Sequence, residues 1–111
     1  MTTYPLINMV ATECQPEVEE KFNKWYDETH IPLLFKFKGM KRVTRYKVSE
    51  KTEGFPTYLA IYEFETKQAY EDYTKSPELA AAREEMGETW KGGGWEIKWR
   101  VPYETLKSWE K

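Results

Sequence analysis

The sequence has one cysteine and one histidine in 111 residues, and each scarcity excludes a class of site. A lone Cys14 permits no intramolecular disulfide. A zinc centre draws three or four ligands mostly from Cys and His, so a protein-only metal site is not expected either. Net charge is nearly absent: 17 Lys plus Arg against 19 Asp plus Glu leaves a formal −2. Nucleic-acid binding requires clustered cations to neutralise phosphates, and that reading falls away. The one basic stretch, from Lys36 to Arg42, is interrupted by Phe37, Gly39 and Met40 and reads as a solvated loop. Long apolar runs are missing as well; none approaches the roughly 20 residues of a membrane-spanning helix. Residues 1–5 carry neither a basic region nor an apolar run, so no secretory leader is expected, and a cytoplasmic location follows by default. There is no glycine-rich phosphate motif. Lys91-Gly92-Gly93-Gly94 lacks the flanking pattern and reads as a mobile loop and a candidate lid. No repeat or linker divides the chain, so one domain over residues 1–111 is expected.

What the sequence has in abundance is aromatic residues: five Trp, eight Tyr and five Phe. Such side chains carry large apolar area, so few positions can build a core, line a pocket or cover an interface. Their placement follows a readable periodicity. From Pro5 to Ala11 both alternating sets are largely apolar (Leu6, Asn8 and Val10 against Ile7, Met9 and Ala11), as in a strand covered on both faces. Pro16 fits a first helical position, and Glu17, Glu19 and Glu20 follow where the helix dipole favours acids. The apolar stripe of that helix is Val18, Phe22, Trp25 and Thr29, with Tyr26 and Leu33 beside it. Pro32 disfavours helical geometry at Ile31, so a break or kink is expected just after His30. Leu33 to Phe37 can add a further turn, ended by Gly39.

Met40 to Ser49 and Thr57 to Phe64 read as strands joined by a polar turn, an antiparallel hairpin. Thr66 is a cap for a helix to about Thr74. Ser76-Pro77-Glu78 is a second cap, with helix from Leu79 to Met86 and Gly87 as the stop. Trp95 to Tyr103 reads as a last strand, with Ile97, Trp99, Val101 and Tyr103 on one face. A short helix around Leu106 and Trp109 is expected in the tail.

The order β-α-β-β-α-β specifies an α+β, ferredoxin-like βαββαβ fold: a four-stranded antiparallel sheet with both helices on one face. That leaves the other face bare, although several strands are apolar on both sides. An apolar sheet face in a small protein calls for a partner, and two such sheets packed face to face give a homodimer.

His30 is the residue best suited to chemistry, because histidine titrates near neutral pH and serves as acid or base. Tyr26 lies one helical turn before it, and Trp25 supplies an apolar wall. The competing reading is structural: a histidine in a last helical turn can simply bond free carbonyls. Asp27 and Glu28 fall opposite the apolar stripe and should face solvent. Tyr46, Tyr58 and Tyr62 sit on the hairpin, some facing the helices and some the dimer partner. Buried hydroxyls need partners, which makes Tyr46 and Tyr62 candidate ligand contacts. Cys14 lies beside a helix start, where a thiol pKa can fall, but no partner for a nucleophile is visible.

The run Phe22-Asn23-Lys24-Trp25-Tyr26-Asp27-Glu28-Thr29-His30-Ile31-Pro32, then Leu33-Leu34, Lys38-Gly39-Met40 and Arg45-Tyr46, resembles the dimeric α+β barrel superfamily, most of all its EthD-type and REDY-like proteins. The motif detail covers residues 22–46, and the element order covers most of the chain. Lys38 stands where a proline often precedes the glycine. The resemblance implies a dimeric barrel with a cleft in each subunit between sheet and helices, and His30, Tyr26 and Trp25 near it. Relatives include polyketide cyclases, cofactor-free monooxygenases, lactone isomerases, haem-degrading enzymes and pigment-pathway proteins. A single histidine departs from the barrel enzymes that use two.

The resulting expectation is a small-molecule enzyme acting without a cofactor on a hydrophobic aromatic or polyketide-like carbonyl compound. His30 and Tyr26 would do acid–base chemistry, and Trp25, Tyr46 and Tyr62 would bind substrate. The alternatives are a barrel that only holds its ligand, and a haem-binding protein with His30 as axial ligand. The haem-degrading relatives place their histidine later in the chain.

Overall fold

The computed structural model describes residues 2–111. Strand β1 spans Leu6–Cys14, three residues longer than its apolar run. A single 3₁₀ turn at Pro16–Val18 leads into α1, Glu19–Trp25. A π-helical turn, Tyr26–His30, follows, and then α2, Ile31–Leu34. Strands β2 (Met40–Lys47) and β3 (Tyr58–Phe64) form the hairpin. Helices α3 (Lys67–Tyr73) and α4 (Pro77–Thr89) precede β4 (Trp95–Glu104). The sheet order is β2-β3-β1-β4, and every pairing is antiparallel.

Both expected caps form. Thr66 accepts from the Ala69 amide at 2.9 Å and Ser76 from the Leu79 amide at 3.1 Å, each satisfying an otherwise orphaned helix-start donor. Gly87 does not stop its helix. The chain stays helical to Thr89, and Trp90, bonded through its amide to the Met86 carbonyl, is 8% exposed against Trp25 and Trp95. Burial of that indole outweighs the roughly 1 kcal/mol that an interior glycine costs. The glycine loop is tied rather than free: Gln15 donates to the Gly94 carbonyl at 2.8 Å and Gly93 to the Trp90 carbonyl at 2.9 Å. The tail beyond Glu104 forms no helix, and Leu106 and Trp109 are 98% and 79% exposed.

The core lies between the helices and one face of the sheet. Phe22, fully buried, is ringed by Trp25, Tyr26, Tyr58, Trp90 and Trp95 at centroid separations of 5.2–6.4 Å. Phe64 packs on Tyr70 and Tyr73 from α3. A polar clasp fixes α1 on the hairpin: Arg45 bonds Asp27 and Asn23, each at 2.8 Å, and Asn23 donates to the Tyr58 hydroxyl at 3.0 Å. Gly39 lets α3 approach, since a Cβ there would lie 2.7 Å from both the Ala69 methyl and the Phe37 ring.

The opposite face is covered by no element of this chain. Ile7, Met9, Leu59, Ile61 and Val101 are half-buried there, while Tyr46, Trp99 and Tyr103 are exposed.

Candidate functional site

The helix does not break at His30; it widens. Pro32 has no amide hydrogen, and its ring would crowd the Glu28 carbonyl four residues back. The backbone absorbs this with one π turn, in which the Ile31 amide bonds the Tyr26 carbonyl five residues earlier. Ile31 itself stays helical, at φ −61° and ψ −45°. The wider turn decides where His30 points. Residues five apart on an ordinary helix lie roughly 140° apart around the axis. Here Trp25 and His30 are stacked, with centroids 4.6 Å apart and planes 23° apart. Tyr26 meets the same imidazole edge-on at 5.1 Å. Trp25 is itself held by its indole N–H, which donates to the Glu85 carboxylate at 2.8 Å.

A β-bulge shapes the other wall. The β1–β4 register shifts between Ala11 and Thr12, pairing Ala11 with Trp99 but Thr12 with Ile97. Trp99, Val101 and Tyr103 therefore share the open face, whereas Ile97 is turned to the helix side, and the expected common face of the four is broken. The same shift places Arg100 opposite Val10, facing the helices.

Between these walls lies a cavity of about 100 Å³. His30, Tyr26, Tyr62, Asn8, Tyr73 and Arg100 are among its lining residues, with Val10, Leu34 and Ile97 as apolar wall. The Tyr26 and Tyr62 hydroxyls are 2.7 Å apart, and both residues are 3% exposed. Burial raises the pKa of both phenols, and that of Tyr73. Both hydroxyls therefore stay protonated at neutral pH. Burial pushes the His30 pKa down to about 4, against a smaller opposing pull from Glu85, so the imidazole is neutral. Among the described residues three buried side-chain atoms lack a hydrogen-bond partner: Asn8 Oδ1, His30 Nδ1 and Trp90 Nε1. Two of the three belong to residues that line this cavity, and such atoms are costly to leave unpaired.

The sequence-derived site residues divide accordingly. His30, Tyr26 and Tyr62 converge on the cavity. Trp25 is packed behind His30 and positions it, outside the lining. Tyr46 does not join them: it is 50% exposed on the open face, beside Met9, Ala11 and Trp99. Asp27 and Glu28 are exposed, as the stripe implied. The Cys14 thiol is raised, not lowered, by burial and by the nearby carboxylates of Glu19 and Glu13. Asn8 and Arg100 were missed. A lone amide between Leu6 and Val10 on a buried face was a usable signal for Asn8. Nothing local in β4 announces Arg100, which the bulge delivers. Among the described residues no group of three or more His, Cys, Asp or Glu side chains comes together to hold a metal ion. A haem does not fit this site either: the cavity of about 100 Å³ is a small fraction of a porphyrin's size.

An antiparallel sheet in this order, helices on one face and a small cavity between the layers define a ferredoxin-like α+β fold. Solved structures share the fold at low identity. HapK from Hahella chejuensis superposes with a TM-score of 0.71 at 10% identity, over 96% of this chain and 97% of that one. An EthD-family protein from Bacillus halodurans gives 0.66 at 16% identity, over 91% and 99%. SnoaB, a cofactor-independent oxygenase from Streptomyces nogalater, gives 0.65 at 10% identity, over 96% and 99%. None of the curated proteins matches. Residues 5–100 match the family described as a domain of unknown function, DUF4286, and the chain belongs to that family.

Proposed function

We propose that this protein is a cofactor-free small-molecule enzyme in which neutral His30 exchanges a proton with a compact aromatic or polyketide-like carbonyl compound and Tyr26 steadies the developing negative charge. One observation carries the reading: His30 Nδ1 is sealed from water, has no partner, and belongs to a residue lining the same cavity as the Tyr26–Tyr62 hydroxyl pair. A neutral imidazole can accept the proton from an acidic carbon or hydroxyl. A Tyr26 hydroxyl aimed at the carbonyl oxygen would donate to the enolate, with Tyr62 holding Tyr26 in place. An apolar wall with few polar groups suits such a ligand. The size of the space limits it: a cavity of roughly 150 Å³ holds one benzene ring, so a larger substrate must protrude through the mouth.

Turnover of a panel of single-ring aromatic carbonyl compounds, followed by mass spectrometry, tests the proposal. His30→Ala should lower the rate by about 10²–10⁴ and Tyr26→Phe by less. Unchanged turnover in both variants contradicts it. A second reading is a carrier that binds without reacting. The His30 pKa of about 4 favours it, because so weak a base is poorly matched to neutral pH. Saturable binding with no product from any accepted ligand would decide for the carrier.

The same proposal makes the active form a homodimer closed through the open sheet face, with the whole chain acting as one domain in the cytoplasm. Its support is the row of uncovered apolar residues from Ile7 to Tyr103 and the fold shared with the dimeric barrel proteins. Among the described residues no helix is long and apolar enough to cross a membrane. A monomeric mass by light scattering at micromolar concentration contradicts the dimer.

A further inference from the structure

The cavity is charged in one sense only. Arg83, from α4, and Arg100, from β4, both belong to its lining, and no Asp or Glu does. Both arginines are exposed, so they stand at the mouth rather than the floor. Neither makes a hydrogen bond or an ion pair among the described residues, whereas Arg42 and Arg45 on the hairpin are each paired with a carboxylate. Glu85, two residues along α4 from Arg83, is engaged elsewhere: it accepts from the Trp25 indole and from the Thr89 hydroxyl. Two guanidinium groups at one opening, with no counter-charge, form a fork suited to a planar anion. Deeper in, Asn8 Oδ1 and His30 Nδ1 are left without partners. Between mouth and floor the wall is apolar, with Val10, Leu34 and Ile97.

We infer that the ligand is a compact, unsaturated or aromatic organic acid: its anionic group is held at the mouth by Arg83 and Arg100, and a polar substituent at its far end meets Asn8 and His30. This deepens the proposed function and rests on its placing the ligand in this cavity. At about 100 Å³ the space is smaller than the roughly 150 Å³ that holds one benzene ring, so a single ring enters only in part and anything larger stays outside the mouth. Because the two arginines are solvent-exposed, their contribution should weaken as salt rises.

The test compares two probes of one shape, 4-hydroxybenzoate and 4-hydroxybenzamide, by titration calorimetry with the full-length protein. The acid should bind about tenfold or more tightly than the amide, the difference of one charge-assisted pair. Arg83→Gln with Arg100→Gln should erase that preference, while Arg100→Lys keeps part of it. Both positions are exposed, so the variants should fold, and circular dichroism verifies that. Equal affinity for the two probes, a preference surviving the double replacement, or no saturable binding of either probe would overturn the inference. The outcome separates from that of the catalytic reading. An anion preference without any turnover leaves this inference standing and sinks the enzyme. Turnover dependent on His30 without an anion preference does the reverse.

Discussion

On the face of the sheet that carries the helices, Tyr58, Tyr62 and Phe64 retain 0–6% of their surface, whereas on the other face Tyr46, Trp99 and Tyr103 retain 42–54%. The residue types are alike; their surroundings are not. The covered face is aromatic, and two of its three unpartnered buried polar atoms belong to residues lining the cavity. The open face carries a paired charge, Arg42 with Glu63, and a broad apolar surface with nothing above it. Incompleteness thus takes two forms. A small cavity lined by residues with unpaired polar atoms asks for a small molecule of matching polarity. A flat apolar face asks for another surface, and a second copy offers a self-complementary one.

Substitutions can sharpen that contrast. The largest effect should come from Phe22→Ala, which opens a hole among five rings and should destabilise by about 3–5 kcal/mol in urea unfolding. Tyr103→Ala, on the open face, should cost little in dilute protein and more as concentration rises if the proposed dimer forms, because a second copy would cover that site only by mass action. A concentration-independent midpoint for the unaltered protein would remove the assigned role of the open face. A smaller effect is expected at the tyrosine pair. Tyr62→Phe leaves the buried Tyr26 hydroxyl without its partner and should cost about 1–3 kcal/mol. The same change at exposed Tyr46 should stay within about 0.5 kcal/mol. Equal costs at the two positions would mean that the faces do not differ as described.

Much of this architecture was legible from local chemistry. The proline and hydroxyl caps at Pro16, Thr66 and Ser76 mark helix starts because orphaned amides need partners within a few residues. The alternation in Tyr58-Leu59-Ala60-Ile61-Tyr62 marks a two-faced strand because side chains alternate. The features that make the site were not local. The π turn arises from a conflict between Pro32 and a helix that packing continues past it, and sequence reasoning turned that conflict into a break or kink. The bulge depends on pairing between Ala11 and Trp99, far apart in sequence, so alternation alone put Ile97 and Trp99 together and left Arg100 outside. The face of Tyr46 was undecided for a related reason: in β2, Arg45 points inward over the Tyr26 ring, at 4.5 Å from its centroid, so polarity misleads about direction.

His30 is the sole histidine, so its ring resonances can be followed without ambiguity. The groups that share its surroundings are Tyr26, Tyr62, Tyr70, Tyr73, Arg83 and Arg100 in the cavity and Glu85 behind Trp25. Burial lowers the folded-state pKa to about 4 from an ordinary value of 6.5. Between those values the unfolded chain binds a proton that the folded chain refuses. Stability should therefore rise with pH through that window and be lost as pH falls from about 6.5 toward about 4, by on the order of 1–3 kcal/mol. The most direct measurement is an NMR titration of the His30 ring in the ligand-free protein. The structure predicts a neutral imidazole at pH 6 and half-protonation near pH 4. Half-protonation near the ordinary histidine value would mean a hydrated ring, and would contradict the burial of His30 beside this cavity.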